Sequence, residues 1–223
     1  MIRYKNLILI GTSHIAASSI QDVETVIRAE KPVIVALELD RARFRGLLEK
    51  KPGTPSLRMI KHFGFKGYLF ARIGHYVEHT LGNAVGVSPG SEMLRAAQVA
   101  QEYHAKIALI DQPIDITLKR FSQQLTWKER FRFFGDLVTN ISKKQKIPFD
   151  LRNVPPQELI QKLISDVKKK YPSVYTTLIA ERNIYMAKRL HSLLQNNEGT
   201  IIGVIGAGHE EEIITLVQHF EQT

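Results

Sequence analysis

Four short apolar runs, separated by longer amphipathic stretches, organise the chain. Leu7-Ile8-Leu9-Ile10 is four consecutive large aliphatic residues bounded by Gly11, the pattern of a strand buried on both faces inside a parallel sheet. Val33-Ile34-Val35-Ala36-Leu37, Lys106-Ile107-Ala108-Leu109-Ile110-Asp111 and Thr200-Ile201-Ile202-Gly203-Val204-Ile205 read as three further strands. Between the first two, Ser18 or Ser19 can cap a helix that carries Val23, Val26 and Ile27 toward Lys31 and stops at Pro32. Asp40 can cap a helix from Arg41 to Lys50, which Lys51-Pro52-Gly53-Thr54-Pro55 breaks. Helical spacing resumes over 56–82, interrupted by Gly64, Gly67 and Gly74, and Ser91 starts a helix through Met93, Leu94, Ala97, Ala100 and Tyr103. Strand and helix therefore alternate through the first half, which predicts a parallel sheet.

The middle of the chain follows a different period. Ile114 to about Lys146 reads as one helix, with Trp127, Phe131, Phe134, Leu137, Val138 and Ile141 at helical spacing as core positions. Pro155-Pro156 opens a helix to Lys170, Pro172 interrupts, a long helix runs from Ser173 to about Gln195, and Glu210 to Glu221 forms the last. The expected architecture is α/β, one domain over 1–223. A mostly parallel central sheet of about four or more strands is flanked by helices, and a large helical insertion, about 114–196, forms a cap.

Composition narrows the setting. The 223 residues are 43% hydrophobic, enough for a substantial core, and contain no cysteine, which excludes disulfides, thiolate ligands and a cysteine nucleophile. The apolar run behind Arg3 and Lys5 is too short for a signal peptide, and nothing has the length of a bilayer span. A cytoplasmic location is expected. The net charge of +9 is concentrated in Lys50–Arg72, where Lys50, Lys51, Arg58, Lys61, Lys66 and Arg72 alternate with Phe63, Phe65, Tyr68 and Phe70 and no Asp or Glu. That stretch reads as an amphipathic helical hairpin with solvated lysines, or as a face for peripheral contact with an anionic surface. No nucleic-acid motif accompanies it, so no specific nucleic-acid partner is expected.

The candidate chemistry lies at the strand ends. His14 follows the first strand in Gly11-Thr12-Ser13-His14, Glu38 ends the second, and His209 follows the last in Gly206-Ala207-Gly208-His209. Ligands of open α/β sheets collect outside the carboxyl ends of the strands, so these two imidazoles and one carboxylate form the expected functional centre. Gly203-x-x-Gly206-x-Gly208 does not have the dinucleotide-binding order, and a Gly-Lys-Ser/Thr phosphate loop is absent.

Taken in order, Gly11-Thr12-Ser13-His14 with Ser18-Ser19, Glu38-Leu39 with Arg41 or Arg43, Glu92-Met93, Asp111, Ile116-Thr117-Leu118-Lys119-Arg120, Glu181-Arg182-Asn183 and Gly206-Ala207-Gly208-His209 resemble the TraB family. This group includes the TraB and PrgY pheromone-shutdown proteins and the Tiki-type proteases. The resemblance spans essentially the whole chain and implies an α/β fold of the erythromycin esterase/ChaN-like superfamily. In Tiki-type members two Gly-x-x-His motifs and a glutamate are tied to metal-dependent peptide cleavage; here those positions are His14, His209 and Glu38. Asp111, Arg120, Glu181 and Arg182 match other family positions with no assigned step. Two positions depart from the pattern: Gln112 stands where Arg is common, and Asn183 where Asp is common.

Two His and one Glu suit a divalent cation (Mn, Zn or Co) that keeps an open position. Glu210, Glu211 or Glu181 could then act as general base, and Arg120 or Arg182 could stabilise an oxyanion. The expected function is a metal-dependent peptide or amide hydrolase acting on a peptide or small-molecule substrate, with Glu38, Arg120, Glu181 and Arg182 as catalytic candidates. The competing class is a non-catalytic module that holds a peptide or small ligand in the same pocket. His75-Tyr76-Val77-Glu78-His79 also fits the H-x-x-E-H pattern of inverted zinc peptidases, although those enzymes are much larger and its surroundings here are basic and glycine-broken. A homo-oligomer is expected.

Overall fold

A computed structural model describes residues 1–13, 17–49, 90–129, 132 and 156–222. His14, the basic Lys50–Arg72 stretch, the His75–His79 motif and the predicted core positions Phe131 to Ile141 lie outside the described residues.

Five strands form one sheet in the order β1-β2-β5-β3-β4. They are β1 (Ile2–Tyr4), β2 (Leu7–Thr12), β3 (Ile34–Leu37), β4 (Lys106–Leu109) and β5 (Ile201–Gly206). β2, β5, β3 and β4 are parallel to their neighbours, and β1 adds antiparallel to β2. β1 is an element the sequence reading missed. Three residues with an arginine at the centre carry no readable period, and the strand exists because it hydrogen-bonds to the edge of β2.

The runs of β2, β3 and β5 are buried on both faces and sort by the strand period of two, while β4 at the edge is only partly buried. Ile8, Ile10, Val35, Leu37, Ile202 and Val204 face one core, closed by Val23 and Ile27 of α1 (Ala17–Glu30) and Met93, Ala96, Ala97 and Ala100 of α3 (Ser91–Glu102). Leu7, Leu9, Ile34, Ala36, Ile201 and Ile205 face the other, closed by Met186, Ala187, Leu190 and Leu194 of α7 (Glu181–Gln195) and Ile213, Ile214 and Val217 of α8 (Glu210–Gln222). Gly203 has no side chain where that second face meets α7. A Cβ there would stand 2.6 Å from Leu9 Cδ2 and 3.7 Å from Leu190 Cδ2, so its absence lets the helix approach.

The remaining helices are α2 (Arg41–Leu48), α4 (Ile114–Gln124), α5 (Gln157–Lys170) and α6 (Pro172–Tyr175). A five-residue π-helical stretch, Thr176–Ala180, runs from α6 into α7. Several local expectations shift. Ser19 is not a cap: it sits within α1, buried, and its hydroxyl accepts the Ser13 N–H at 3.0 Å. Asp40 does cap α2, accepting from Ala42 N and Arg43 N. The single helix expected from Ile114 to Lys146 breaks at Leu125, whose backbone is extended, and Trp127 is 70% exposed instead of core. α7, inside the 114–196 stretch, packs on the sheet as one of its flanking layers.

A capping box causes that break. Thr126 Oγ1 accepts Glu129 N–H at 3.2 Å while Glu129 Oε2 accepts Thr126 N–H at 3.1 Å. The other oxygen, Oε1, accepts Ser173 N–H at 2.7 Å, so one carboxylate, 4% exposed, ties together two helix starts. Burial pushes the Glu129 carboxyl up, but the hydrogen bonds from Ser173 and Thr126 outweigh it and hold it below the usual range.

Two outcomes follow. Leu190→Ala empties space between α7 and the sheet and is expected to lower stability by about 2–5 kcal/mol in urea unfolding. Glu129→Gln is expected to cost about 1–2 kcal/mol near neutral pH. Because the folded carboxyl titrates below the unfolded one, that difference should be complete above the unfolded pKa of about 4.3. It should shrink as pH falls through the folded value, a trend read from stabilities of both forms between about pH 7 and 3.

Candidate functional site

The connections create a crevice at the carboxyl ends of the strands. After β2 the chain crosses to α1 on the first face, whereas after the adjacent β5 it enters α8 on the second. Such a reversal is where open α/β sheets bind ligands. Gly11 lies at this edge; a Cβ on it would meet Glu210 Oε2 at 2.5 Å and Ala207 Cα at 3.0 Å. The close approach of the end of β2 to Ala207 and Glu210 therefore favours glycine at position 11.

At the end of β3, Glu38 is 3% exposed. Its Oε2 accepts Gly206 N–H at 2.5 Å, so the carboxylate spans from its own strand to the turn after β5. Its Oε1 takes a hydrogen bond from Arg182 Nη2. The same guanidinium donates Nε to Asp111 Oδ1 at 3.0 Å, Nη2 to Asp111 Oδ2 at 2.7 Å and Nη1 to Leu178 O at 3.1 Å. Asp111 also meets Arg43, which donates Nε to Asp40 Oδ2 at 3.0 Å. Asp40 Oδ2 accepts Ile114 N–H at 3.1 Å as well, joining the loops after β3 and β4. Burial opposes the Arg182 charge, but the Glu38 and Asp111 carboxylates outweigh it and raise the guanidinium above its ordinary value.

His209 completes the constellation. Its Nε2 lies 3.5 Å from Glu38 Oε1 and its Nδ1 2.5 Å from Asn183 Oδ1. Asn183 is fully buried and donates Nδ2 to Glu212 Oε2 at 2.8 Å, which also accepts the Tyr175 hydroxyl at 3.1 Å. Burial and the adjacent Glu212 charge push the Tyr175 hydroxyl up and keep it a donor.

Glu38, Arg182, Asp111 and His209 are thus brought together. Arg120 and Glu181 are not in this set. They form a two-pronged pair with each other at 2.5 and 2.6 Å on the outer side of α4 and α7, where Arg120 is 47% exposed. Of the three candidate bases, Glu181 is committed to Arg120, and Glu211 lines a groove of about 380 Å³ with Lys168, Tyr175 and Gly208. Glu210 is 7% exposed and lies against Gly11. Gln112 donates to Thr117 Oγ1 at 2.9 Å, a neutral contact at the start of α4. The sequence marked Asn183 only as a departure; nothing in helical spacing showed that it would meet a residue 26 positions away.

Cation chemistry can be tested on these donors. Ligand bonds of about 2.0–2.2 Å at a tetrahedral angle separate two ligand atoms by about 3.3 Å, close to the 3.5 Å between His209 Nε2 and Glu38 Oε1. Both Glu38 oxygens already accept protein hydrogen bonds. Among the described residues, three carboxylates (Glu38, Asp40, Asp111) pair with two guanidiniums (Arg43, Arg182). Among the described residues no three His, Asp or Glu side chains group as a metal site, and His14 is not among them.

A protein-family model described as TraB/PrgY/gumN matches residues 3–222. The uncharacterized protein MJ1365 of Methanocaldococcus jannaschii is 34% identical over 219 residues, which cover 97% of this chain and 54% of that protein. The chain therefore spans about half the length of the curated relative it matches. Among the described residues, no helix is long and apolar enough to cross a membrane.

Removing the central guanidinium is the direct test of the charge arrangement. Arg182→Met leaves Glu38 and Asp111 buried without their shared partner and is expected to cost about 3–5 kcal/mol of stability in denaturant titration. A loss below about 1 kcal/mol would show that the two carboxylates do not depend on it.

Proposed function

The chain belongs to the TraB/PrgY/gumN family, and from that premise we propose that it is a metal-dependent hydrolase of peptide or related amide bonds. The observation that carries the reading is the meeting of Glu38 and His209 at 3.5 Å, at the crevice where the two Gly-x-x-His turns begin. His14, Glu38 and His209 would hold one divalent ion (Mn, Zn or Co), which when bound would acidify a water and polarise the scissile carbonyl.

The chain's own residues supply the rest. Gly206 N–H and Arg182 fix the Glu38 carboxylate against rotation, and Asn183 holds the imidazole of His209. Arg182 places a permanent positive charge beside the crevice, suited to a carbonyl oxygen that gains negative charge. Glu210, buried against Gly11, is the candidate base nearest the first Gly-x-x-His turn. The helices between β4 and α7 act as the cap: Ile164 of α5 would stand 3.4 Å from a Cβ on Gly208, next to His209, and Tyr175 reaches Glu212. They restrict water and give a substrate a wall to lie against.

A second reading draws on the engagement of both Glu38 oxygens by protein donors. It is a module that holds a peptide or small ligand in the same crevice without turnover. One experiment separates the two. Protein purified without an affinity tag is assayed for bound metal and incubated with a mixed peptide library, beside His14→Ala, His209→Ala and Glu38→Gln. Stoichiometric metal in the parent, its loss in each folded variant and metal-dependent cleavage are expected. Full metal occupancy in His209→Ala would falsify the ligand set, and intact peptides retained by metal-free protein would establish the binding module.

A further inference from the structure

We infer that Asn183 and Glu212 are a matched pair of positioning residues that fix His209 as the Nδ1–H tautomer, so that its Nε2 is the atom presented to Glu38. This deepens the metal-site reading above and rests on it only for its functional consequence. An ionised carboxylate only accepts, so Glu212 Oε2, at 2.8 Å, must face the amide nitrogen of Asn183. Asn183 is fully buried, and that contact turns its carbonyl oxygen toward His209 Nδ1 at 2.5 Å. An oxygen acceptor at that distance requires a hydrogen on Nδ1. With Nδ1 carrying a hydrogen, Nε2 is the ring atom that faces Glu38 Oε1, 3.5 Å away, and in the neutral ring it is the one that holds the lone pair.

Tyr175 holds the far end. Its hydroxyl donates to Glu212 Oε2 at 3.1 Å, so the carboxylate is fixed from the cap while it fixes the asparagine. The pairing also gives the departure at position 183 a physical reason. An aspartate there would press its carboxylate against that of Glu212 at hydrogen-bond distance, and two carboxylates cannot both remain ionised at that separation. Asn183 with Glu212 keeps one negative charge in the chain and moves it one side chain farther from His209. A swap, Asp at 183 with Gln at 212, would preserve the charge count and keep an acceptor facing His209 Nδ1, while the bond between the two positions reverses, the amide at 212 donating to the carboxylate at 183 and the Tyr175 hydroxyl turning to accept from that amide.

Two-dimensional proton–nitrogen correlation spectra of protein with labelled histidine report the tautomer directly. They are recorded on metal-free protein at about pH 9, where imidazoles are neutral, with His209→Gln used to assign the signal among the 8 histidines. The parent is expected to show Nδ1–H, Asn183→Leu to lose that preference, and the double variant Asn183→Asp/Glu212→Gln to retain it. Asn183→Asp alone should melt several degrees lower, on the order of 5 °C, and the double variant should recover that loss. An Nε2–H signal in the parent, an unchanged Nδ1–H preference in Asn183→Leu, or a double variant no more stable than Asn183→Asp overturns the inference. If Asn183→Leu does not fold, the parent and the two aspartate variants still decide it. Zinc titration is read separately: Asn183→Leu should bind about 10–100-fold more weakly. No zinc binding in any form would count against the metal site while leaving the tautomer assignment standing.

Discussion

The guanidinium of Arg182 is the contact on which the site depends. It sits between Glu38 at the end of β3 and Asp111 just after β4, and it reaches both from a helix on the opposite side of the chain's longest excursion. Without it, two carboxylates at adjacent strand ends would repel each other in a region where water is scarce. Breaking a buried pair in that way is costly because the surviving charges are left uncompensated. The strand ends carry acidic residues because α7 brings Arg182 to them, beside Arg43 from α2. Met186, Ala187 and Leu190 hold α7 on the sheet, and that packing delivers Arg182 and Asn183 to the crevice.

The backbone before α7 is shaped for the same purpose. Two successive residues, Arg182 and Asn183, both turn into the site, although neighbours on an α-helix diverge by about 100°. The π-helical stretch Thr176–Ala180 precedes them, with Glu181 N–H bonded to Thr176 O five residues back. Such a stretch widens the helix locally and offsets the faces on either side of it. Tyr175 before it and Asn183 after it consequently meet the same carboxylate, Glu212. Arg182 Nη1 binds Leu178 O within the widened turn, which fixes the guanidinium's direction as well as its position.

How much of this was legible depended on whether a signal was local. The four parallel strands, the Asp40 cap and the placing of Glu38 and His209 at strand ends follow from runs of aliphatic residues and the residues that punctuate them. β1 left no such trace because its pairing partner, not its composition, makes it a strand. The break at Leu125 was written as Thr126-x-x-Glu129, a readable capping box, but the apolar spacing of Trp127 and the residues after it outweighed it in the sequence reading. Trp127 then proved exposed, since helical spacing shows that residues share a face and not which way that face points. The pairing of Arg120 with Glu181, and of Arg182 with Glu38 and Asp111, could not be separated from sequence, because adjacent residues 181 and 182 carry opposite charges and leave on different sides of one helix.

Charge at the crevice differs from the charge of the chain as a whole. The chain's net charge is +9, yet Glu38, Asp40, Asp111 and Glu210, at or beside the carboxyl ends of the strands, are each under 10% exposed. Local charge and burial decide binding at short range, and distant surface lysines are screened within about 8–10 Å at ordinary ionic strength. Arg182 and Arg43 lie within this acidic set and pair with it, so the charge at the crevice is set by these contacts and not by the total for the chain.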